Sequence, residues 1–279
     1  MVRHFATLGF LSLLTASGCD FTTGSKPKVS PTVRVVAPTF PTVVTPSPPK
    51  PTPSDAPEPL PDAPLADPKS KLTPLNKEKS LYVEKKPDGG MRVLVETEVC
   101  LREGLLEVLL CKAKTKEHES ILRVDLDPRY IHAALVATGA KVGKPVQFVS
   151  PKTGDLEYKP ASGQRIRVSV HYRRDGELHT HAAQEWILDK KLKKPMAYDW
   201  VFAGSRFIRN PDAPKEDPEY YCANNGEVIC LSNFVDSMLD LPVEVSKDEI
   251  DLHLEPITAK IPPLKTKVWL ILEPIPDKK

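Results

Sequence analysis

The sequence predicts an α+β fold, predominantly antiparallel β with one or two packed helices, forming a single domain after a disordered Pro-rich tether. Three observations carry this reading. Apolar runs of strand length recur from Leu81 onward with turn residues between them. One segment, Pro128–Thr138, has the full set of caps and the apolar spacing of a helix. Fourteen of the chain's 30 prolines fall between Pro27 and Pro68. That density excludes helix and central strand, because proline has no amide donor and fixes φ.

Taken in order, the N-terminus comes first. Arg3 and His4 precede Phe5–Leu14, an apolar run of ten residues, and Ala16-Ser17-Gly18 leads into Cys19. A cationic start, a short apolar stretch and small residues make a secretory signal. The run is too short to span a bilayer, which takes about 20 residues. Ala16-Ser17-Gly18-Cys19 resembles a bacterial lipoprotein signal, with Ala16 where Leu is usual. The resemblance implies cleavage before Cys19 and lipidation of that cysteine. Residues 1–18 are then the signal peptide, 19–71 the lipidated cysteine and Pro-rich linker, and 72–279 the folded domain. The membrane is the first expected partner, held through the lipid on Cys19, since two or more acyl chains anchor stably. Arg3 has no arginine neighbour, so export before folding is the expectation, with the domain in the cell envelope on the extracytoplasmic or periplasmic side.

The Pro-rich stretch reads as semi-rigid polyproline II rising roughly 3.1 Å per residue, able to reach on the order of 140 Å. Groups such as Pro46-Ser47-Pro48-Pro49 also have the form of ligands for aromatic grooves. The spacer reading is preferred, because no motif stands out from the low-complexity background.

In the domain, Leu81–Val83 and Met91–Val95 flank Pro87-Asp88-Gly89-Gly90 and form a hairpin. Gly104–Cys111 (GLLEVLLC) is a continuous apolar run, as in a strand buried on both faces. Asp127 is the N-cap and Pro128 the first residue of the helix, Ile131, Ala134, Leu135 and Thr138 share a face, and Gly139 supplies a left-handed stop. Arg165–Arg173 alternates as a half-buried strand. Tyr220–Ala223 and Glu227–Leu231 surround Asn224-Asn225-Gly226, a second hairpin signal. Asn233–Leu239 is a candidate for a short second helix. Val268–Leu272 (VWLIL) is a final core strand ended by Pro274.

Charge is balanced: 39 basic against 37 acidic residues, net +2. With no basic stripe interleaved with aromatics, nucleic acid is not expected as a partner.

The order Gly104-Leu105-Leu106-Glu107, Cys111, Glu117-His118-Glu119-Ser120, His132, Gly139, Trp186-Ile187, Trp200-Val201-Phe202-Ala203-Gly204-Ser205, Val228-Ile229-Cys230 and Ile261-Pro262-Pro263 resembles the YdjY family of bacterial exported proteins. The likeness runs from about Ser80 to Pro276. Some relatives are labelled ferredoxin-like. An iron–sulfur cluster needs thiolates at close spacing, and Cys100, Cys111, Cys222 and Cys230 offer no such run, so neither an iron–sulfur cluster nor haem is expected.

Three sets of chemical side chains remain. His118, Glu119 and His132 are the candidate metal ligands, since imidazole and carboxylate suit zinc or a similar divalent ion. Asp125 or Cys111 would complete the set. The competing reading is a hydrogen-bonded histidine that fixes a loop. His171, His179 and His181 belong to a hairpin with two registers. A two-residue Asp175-Gly176 turn places Tyr172 opposite His179 and faces His179 and His181 toward the core. A three-residue Arg174-Asp175-Gly176 loop places Tyr172 opposite Leu178, keeps the apolar side consistent and is favoured. The four domain cysteines permit two disulfides in an oxidising compartment, with three possible pairings. Ser205 lacks the second glycine of a nucleophile elbow. The leading expectation is a non-enzymatic binding or scaffold module with an envelope protein partner. The second is a metal-dependent or redox accessory protein.

Overall fold

The structure, a computed structural model, describes residues 56–150, 157–209, 219–245 and 253–276. The signal segment, Cys19 and the Pro-rich stretch up to residue 55 lie outside the described residues. Strands β1 (Lys71–Pro74), β2 (Leu81–Lys85), β3 (Met91–Val99), β4 (Val108–Lys112) and β5 (Ser120–Val124) precede helix α1 (Pro128–Ala137). Then come β6 (Gln147–Val149), β7 (Glu157–Lys159), β8 (Arg165–Arg174), β9 (Glu177–Ala182), β10 (Ile187–Asp189), β11 (Lys194–Pro195) and β12 (Trp200–Phe202). The last are β13 (Phe207–Arg209), β14 (Glu219–Tyr221), β15 (Ile229–Cys230), β16 (Leu239–Asp240), β17 (Leu254–Pro256) and β18 (Lys267–Pro274).

Eight of these strands close a barrel in the order β3-β18-β8-β12-β16-β15-β4-β5. β5 returns to β3 through Glu98↔Arg123 and Val99↔Leu122. The β4–β5 and β15–β16 seams are parallel and the others antiparallel. An eight-stranded barrel has an interior that side chains can fill. Here they do: Val93, Val95, Leu122, Val168, Val170, Trp200, Phe202, Leu239 and Leu270 are all buried in one cluster with Ile131, Ala134 and Leu135 of α1. Binding chemistry therefore has to sit on the outside or at the ends of the barrel.

The VWLIL run is apolar throughout because both faces of β18 are covered. Val268, Leu270 and Leu272 face the main core, while Trp269 and Ile271 pack with Leu94 and Tyr82 on the other side. Part of that outer cover is the end of the Pro-rich stretch. Leu60 and Ala63 pack there, and Trp269 Nε1 donates to Pro61 O at 2.9 Å. The buried Glu84 carboxylate pairs with Arg92 and accepts from Ala66 N at 2.7 Å, and Arg92 Nη2 donates to Pro64 O at 2.7 Å. Residues between Leu60 and Ala66 thus pack on, and hydrogen-bond to, the outer face of β2, β3 and β18.

The first hairpin, α1 and the long β8 and β18 strands match their sequence signals. Asp127 caps α1 by accepting from Arg129 N at 2.9 Å, and Gly139 has φ +84°. Three expectations change. Of GLLEVLLC only the part from Val108 on is strand, in β4, and Leu105 is exposed. Cys222–Asn225 is a 3₁₀ turn, so β14 pairs with β13 while β15 pairs with β4 and β16. No second helix forms at Asn233–Leu239. The Asn233 side chain organises a loop there instead: Nδ2 donates to Asp240 Oδ1 and Leu241 O, and Oδ1 accepts from Val245 N at 2.7 Å. Asparagine competes for backbone groups in this way and so disfavours helix interiors.

Asp240 in that loop carries a prediction. It is fully buried, Oδ1 accepts from Leu241 N at 2.8 Å, and Oδ2 has no hydrogen-bond partner. Burial, opposed by the hydrogen bond from Asn233, pushes its pKa up to about 7. A folded pKa above the unfolded value near 4 means the folded state holds a proton that the unfolded chain has lost. This group's contribution to stability is therefore present at low pH and lost as pH rises through about 7. Asp240→Asn is expected to flatten that slope and to gain on the order of 2 kcal/mol over the parent at pH 8. Denaturant midpoints at pH 5 and pH 8 check it, and identical slopes in the two proteins would refute it.

Candidate functional site

Glu119 lies at the end of a 3₁₀ turn, Glu117–Glu119, which leads into β5. Its carboxylate is taken up by Lys116, whose Nζ is 2.6 Å from Glu119 Oε1, 3.2 Å from Glu107 Oε2 and 3.7 Å from Glu227 Oε1. The same ammonium lies 4.6 Å above the Phe234 ring. Burial alone would lower the Lys116 pKa, but the hydrogen bond and charge of Glu119, with Glu107, outweigh it and push the value up to about 12. Burial raises Glu107, helped by the Glu119 charge, and burial raises Glu227. Glu227 Oε2 makes no hydrogen bond. One cation thus ties Glu107 and the turn that leads into β5 to Glu227, far along the chain. Gly226, at φ +124°, passes over this lysine: a Cβ there would stand 2.7 Å from Thr115 Oγ1 and 3.0 Å from Lys116 Cγ.

His118, next to Glu119, has a side chain 77% exposed and only a 3.7 Å approach to Glu119 Oε2. His132 is elsewhere, on α1. Its Nδ1 is 2.9 Å from Tyr221 Oη, and that hydroxyl donates to Gly204 O at 3.1 Å. Because the tyrosine proton is spent on Gly204, His132 Nδ1 is the donor, leaving Nε2 as an acceptor. Rings of Phe202 at 4.9 Å, Tyr221 at 5.5 Å and Phe207 at 6.0 Å surround the imidazole edge-on. Burial lowers the His132 pKa, against the backbone of Gly204, so the ring is neutral at pH 7. Burial also raises Tyr221. The structure therefore places the three candidate ligands in three settings: solvent, a lysine-centred ion cluster and an aromatic box. Among the described residues, no group of three or more His, Cys, Asp or Glu side chains is placed to hold a metal ion.

The backbone builds the aromatic box. Gly204 (φ +90°) and Ser205 (φ +58°) follow β12 in left-handed conformations, and Ser205 Oγ donates to Asp236 O at 2.6 Å. A Cβ at Gly204 would lie 2.3 Å from Val142 Cγ1 and 3.7 Å from His132 Cε1, so only glycine leaves Val142 its place there. Around the box lie exposed apolar groups. Phe207 is 49% exposed and Val142 46%, and Val136, one helical turn beyond His132, is 46%.

The β8–β9 hairpin corrects the favoured register. Tyr172 pairs with His179 and Val170 with His181, across a two-residue Asp175-Gly176 turn. Both turn residues have positive φ, +54° and +78°, the conformation that Asp-Gly supplies in tight hairpins. The apolar-side argument failed because β9 hangs off the barrel, pairing only with β8 in its sheet, and owes no buried face to the core. His171 instead pairs with Thr180, Nδ1 to Oγ1 at 2.7 Å. His179 stacks on Tyr172 at 5.4 Å, in an open cleft of about 370 Å³ that Trp186 and Lys260 help to line.

All four domain cysteines are free thiols. Sequence reasoning missed Lys116, Glu107, Glu227 and Tyr221. For the two glutamates a signal existed: each interrupts an apolar run, GLLEVLLC and GEVIC, and a carboxylate in a buried run must find a cation or a donor.

Comparison with protein-family models gives a match described as the YdjY domain over residues 90–273. No curated protein and no solved structure matches the chain.

Proposed function

The chain belongs to the YdjY domain family, and we propose that it is a membrane-tethered, non-enzymatic binding module of the bacterial cell envelope. The lipid on Cys19 anchors it, the Pro-rich stretch spaces it from the bilayer, and the barrel presents a surface to a protein partner. One observation supports the binding role above the others: Val136, Val142 and Phe207 expose apolar surface around the His132–Tyr221 pair. Contiguous exposed apolar groups on a folded domain mark interaction sites. The barrel interior is filled by side chains.

Photo-crosslinking in intact cells tests this. A crosslinker at Phe207 and one at Val136 are expected to yield the same adduct, and Val142→Glu is expected to abolish both. No adduct at either position, or the same adduct from a crosslinker at the exposed Leu192, would overturn the reading. The anchor has its own check. Cys19→Ser is expected to move the chain from the membrane to the soluble fraction, and a variant that stays with membranes would refute lipidation.

A further inference from the structure

Residues 57–65 form neither helix nor strand, and their exposure repeats every third residue. Pro59, Asp62, Leu65 and Pro68 are exposed, whereas Pro61 is buried and Glu58, Pro64 and Asp67 are half-buried. Three residues per turn is the period of polyproline II, whose carbonyls have no partner within the segment. Here the barrel supplies the partners. Trp269 Nε1 donates to Pro61 O at 2.9 Å, and Arg92 Nη2 donates to Pro64 O at 2.7 Å. The flanks are held too: Gly176 N donates to Glu58 Oε1 at 3.1 Å, and Ala66 N donates to Glu84 Oε1 at 2.7 Å. Leu60 and Ala63 pack into the cluster of Leu94, Tyr82, Trp269 and Ile271, where the Tyr82 ring stands edge-on to Trp269 at 5.7 Å. The ion pair with the fully buried Glu84 fixes the Arg92 guanidinium. Pro-x-x-Pro segments are read in aromatic-lined grooves, because the preformed extended chain loses little entropy on docking. Pro61 and Pro64 have that spacing.

We propose that the outer face of β2, β3 and β18 is a recognition site for proline-rich segments. Leu60–Pro64 fills it as a strap from the same chain, and a partner protein carrying a Leu-Pro-x-Ala-Pro segment displaces that strap. Each position of the motif has its reason. Leucine and alanine are the side chains that pack on the ring pair, and the two proline carbonyls meet Trp269 and Arg92. The x position, Asp62, is exposed and free to vary. A second copy of this chain is a poor competitor. It offers the same contacts, while the covalent link holds the strap at an effective concentration on the order of 1 mM. A partner overcomes that advantage by presenting several such segments in a row. The site uses none of the residues around His132, so it stands or falls apart from the surface described above.

The probe is a fluorescently labelled peptide with the sequence Glu58–Asp67, titrated against the full chain and read by anisotropy. In the parent chain the strap competes. In the double variant Pro61→Gly, Pro64→Gly the strap loses its preformed backbone, and the peptide is expected to bind at least about tenfold more tightly than to the parent. Leu60→Ala, a milder change that leaves both prolines in place, is expected to fall between the two. Adding Trp269→Phe to Leu60→Ala keeps a ring but removes the indole N–H, and is expected to weaken the peptide about fivefold. A peptide with alanine in place of Pro61 and Pro64 is expected not to bind. Equal affinity of parent and strap variants, no binding to a folded strap variant, binding of the alanine peptide as tight as that of the native one, or no effect of Trp269→Phe would each overturn the proposal. So would a parent chain that elutes from size exclusion as a strap-exchanged dimer, since the site would then belong to a second copy.

Discussion

Lys116→Met is expected to destabilise the domain by about 3 kcal/mol at pH 8, and by clearly less at pH 5. Methionine keeps the stem volume and the contact with Phe234, so the loss isolates the charge. Without the ammonium, Glu107, Glu119 and Glu227 face one another with no cation between them. Breaking a buried pair costs more than the pair contributes, because the surviving charges stay desolvated. Two of the three can escape by taking up a proton. Glu107 and Glu227 already have raised pKa values from burial, and losing Lys116 raises them further. An acid whose folded pKa lies above its unfolded value lowers stability as pH rises, so the deficit of the variant grows from pH 5 to pH 8. Denaturant unfolding of parent and variant at both pH values measures it. A small loss, equal at the two pH values, would mean that the cluster is solvated and holds nothing together.

The fold was legible where local pattern and tertiary demand agree. Asp127-Pro128 and Gly139 bracket α1 because cap chemistry is local. VWLIL read as a final core strand, and it is one, with Val268, Leu270 and Leu272 in the main core; the outer cover that Trp269 and Ile271 find was not read from it. Closure of the barrel was not legible. The joining pairs, Glu98↔Arg123 and Val99↔Leu122, carry no pattern of their own, and a sheet edge looks the same in sequence whether or not it meets another. The β8–β9 register was misjudged for a related reason. Alternation reports burial, and β9 is an edge strand with no buried face to report. Asn224-Asn225-Gly226 resembled a hairpin turn, yet Gly226 is set by the passage over Lys116. Of the candidate site, sequence found Glu119 and His132 as chemical groups but not their partners. Lys116 with Glu227, and His132 with Tyr221, are far apart along the chain, and only the topology brings them together.

Gly163→Ala is expected to cost about 3 kcal/mol, against about 1 kcal/mol for Gly89→Ala. Both glycines have positive φ, +142° and +86°, so both substitutions pay for an unfavourable backbone conformation. They differ in surroundings. A Cβ at Gly89 meets nothing within 4 Å, whereas one at Gly163 would stand 2.2 Å from Phe202 O. That carbonyl accepts from Gly143 N at 2.9 Å, and the Lys144–Ser162 bridge lies beside it. Pushing Phe202 O away breaks the bond to Gly143 and loosens the chain of residues 141–144, which keeps its bonds to Ser162 and Gln164. Val142 belongs to that chain, and its Cγ1 lies over Gly204, the glycine that also borders His132. The substitution therefore acts on the apolar surface as well as on stability. In the crosslinking assay, Gly163→Ala should weaken the Phe207 adduct at temperatures where the domain is still folded, while Gly89→Ala leaves it unchanged. Equal denaturant midpoints for the two variants would show that the crossing at Phe202 yields without cost, and that the surface around His132 does not depend on it.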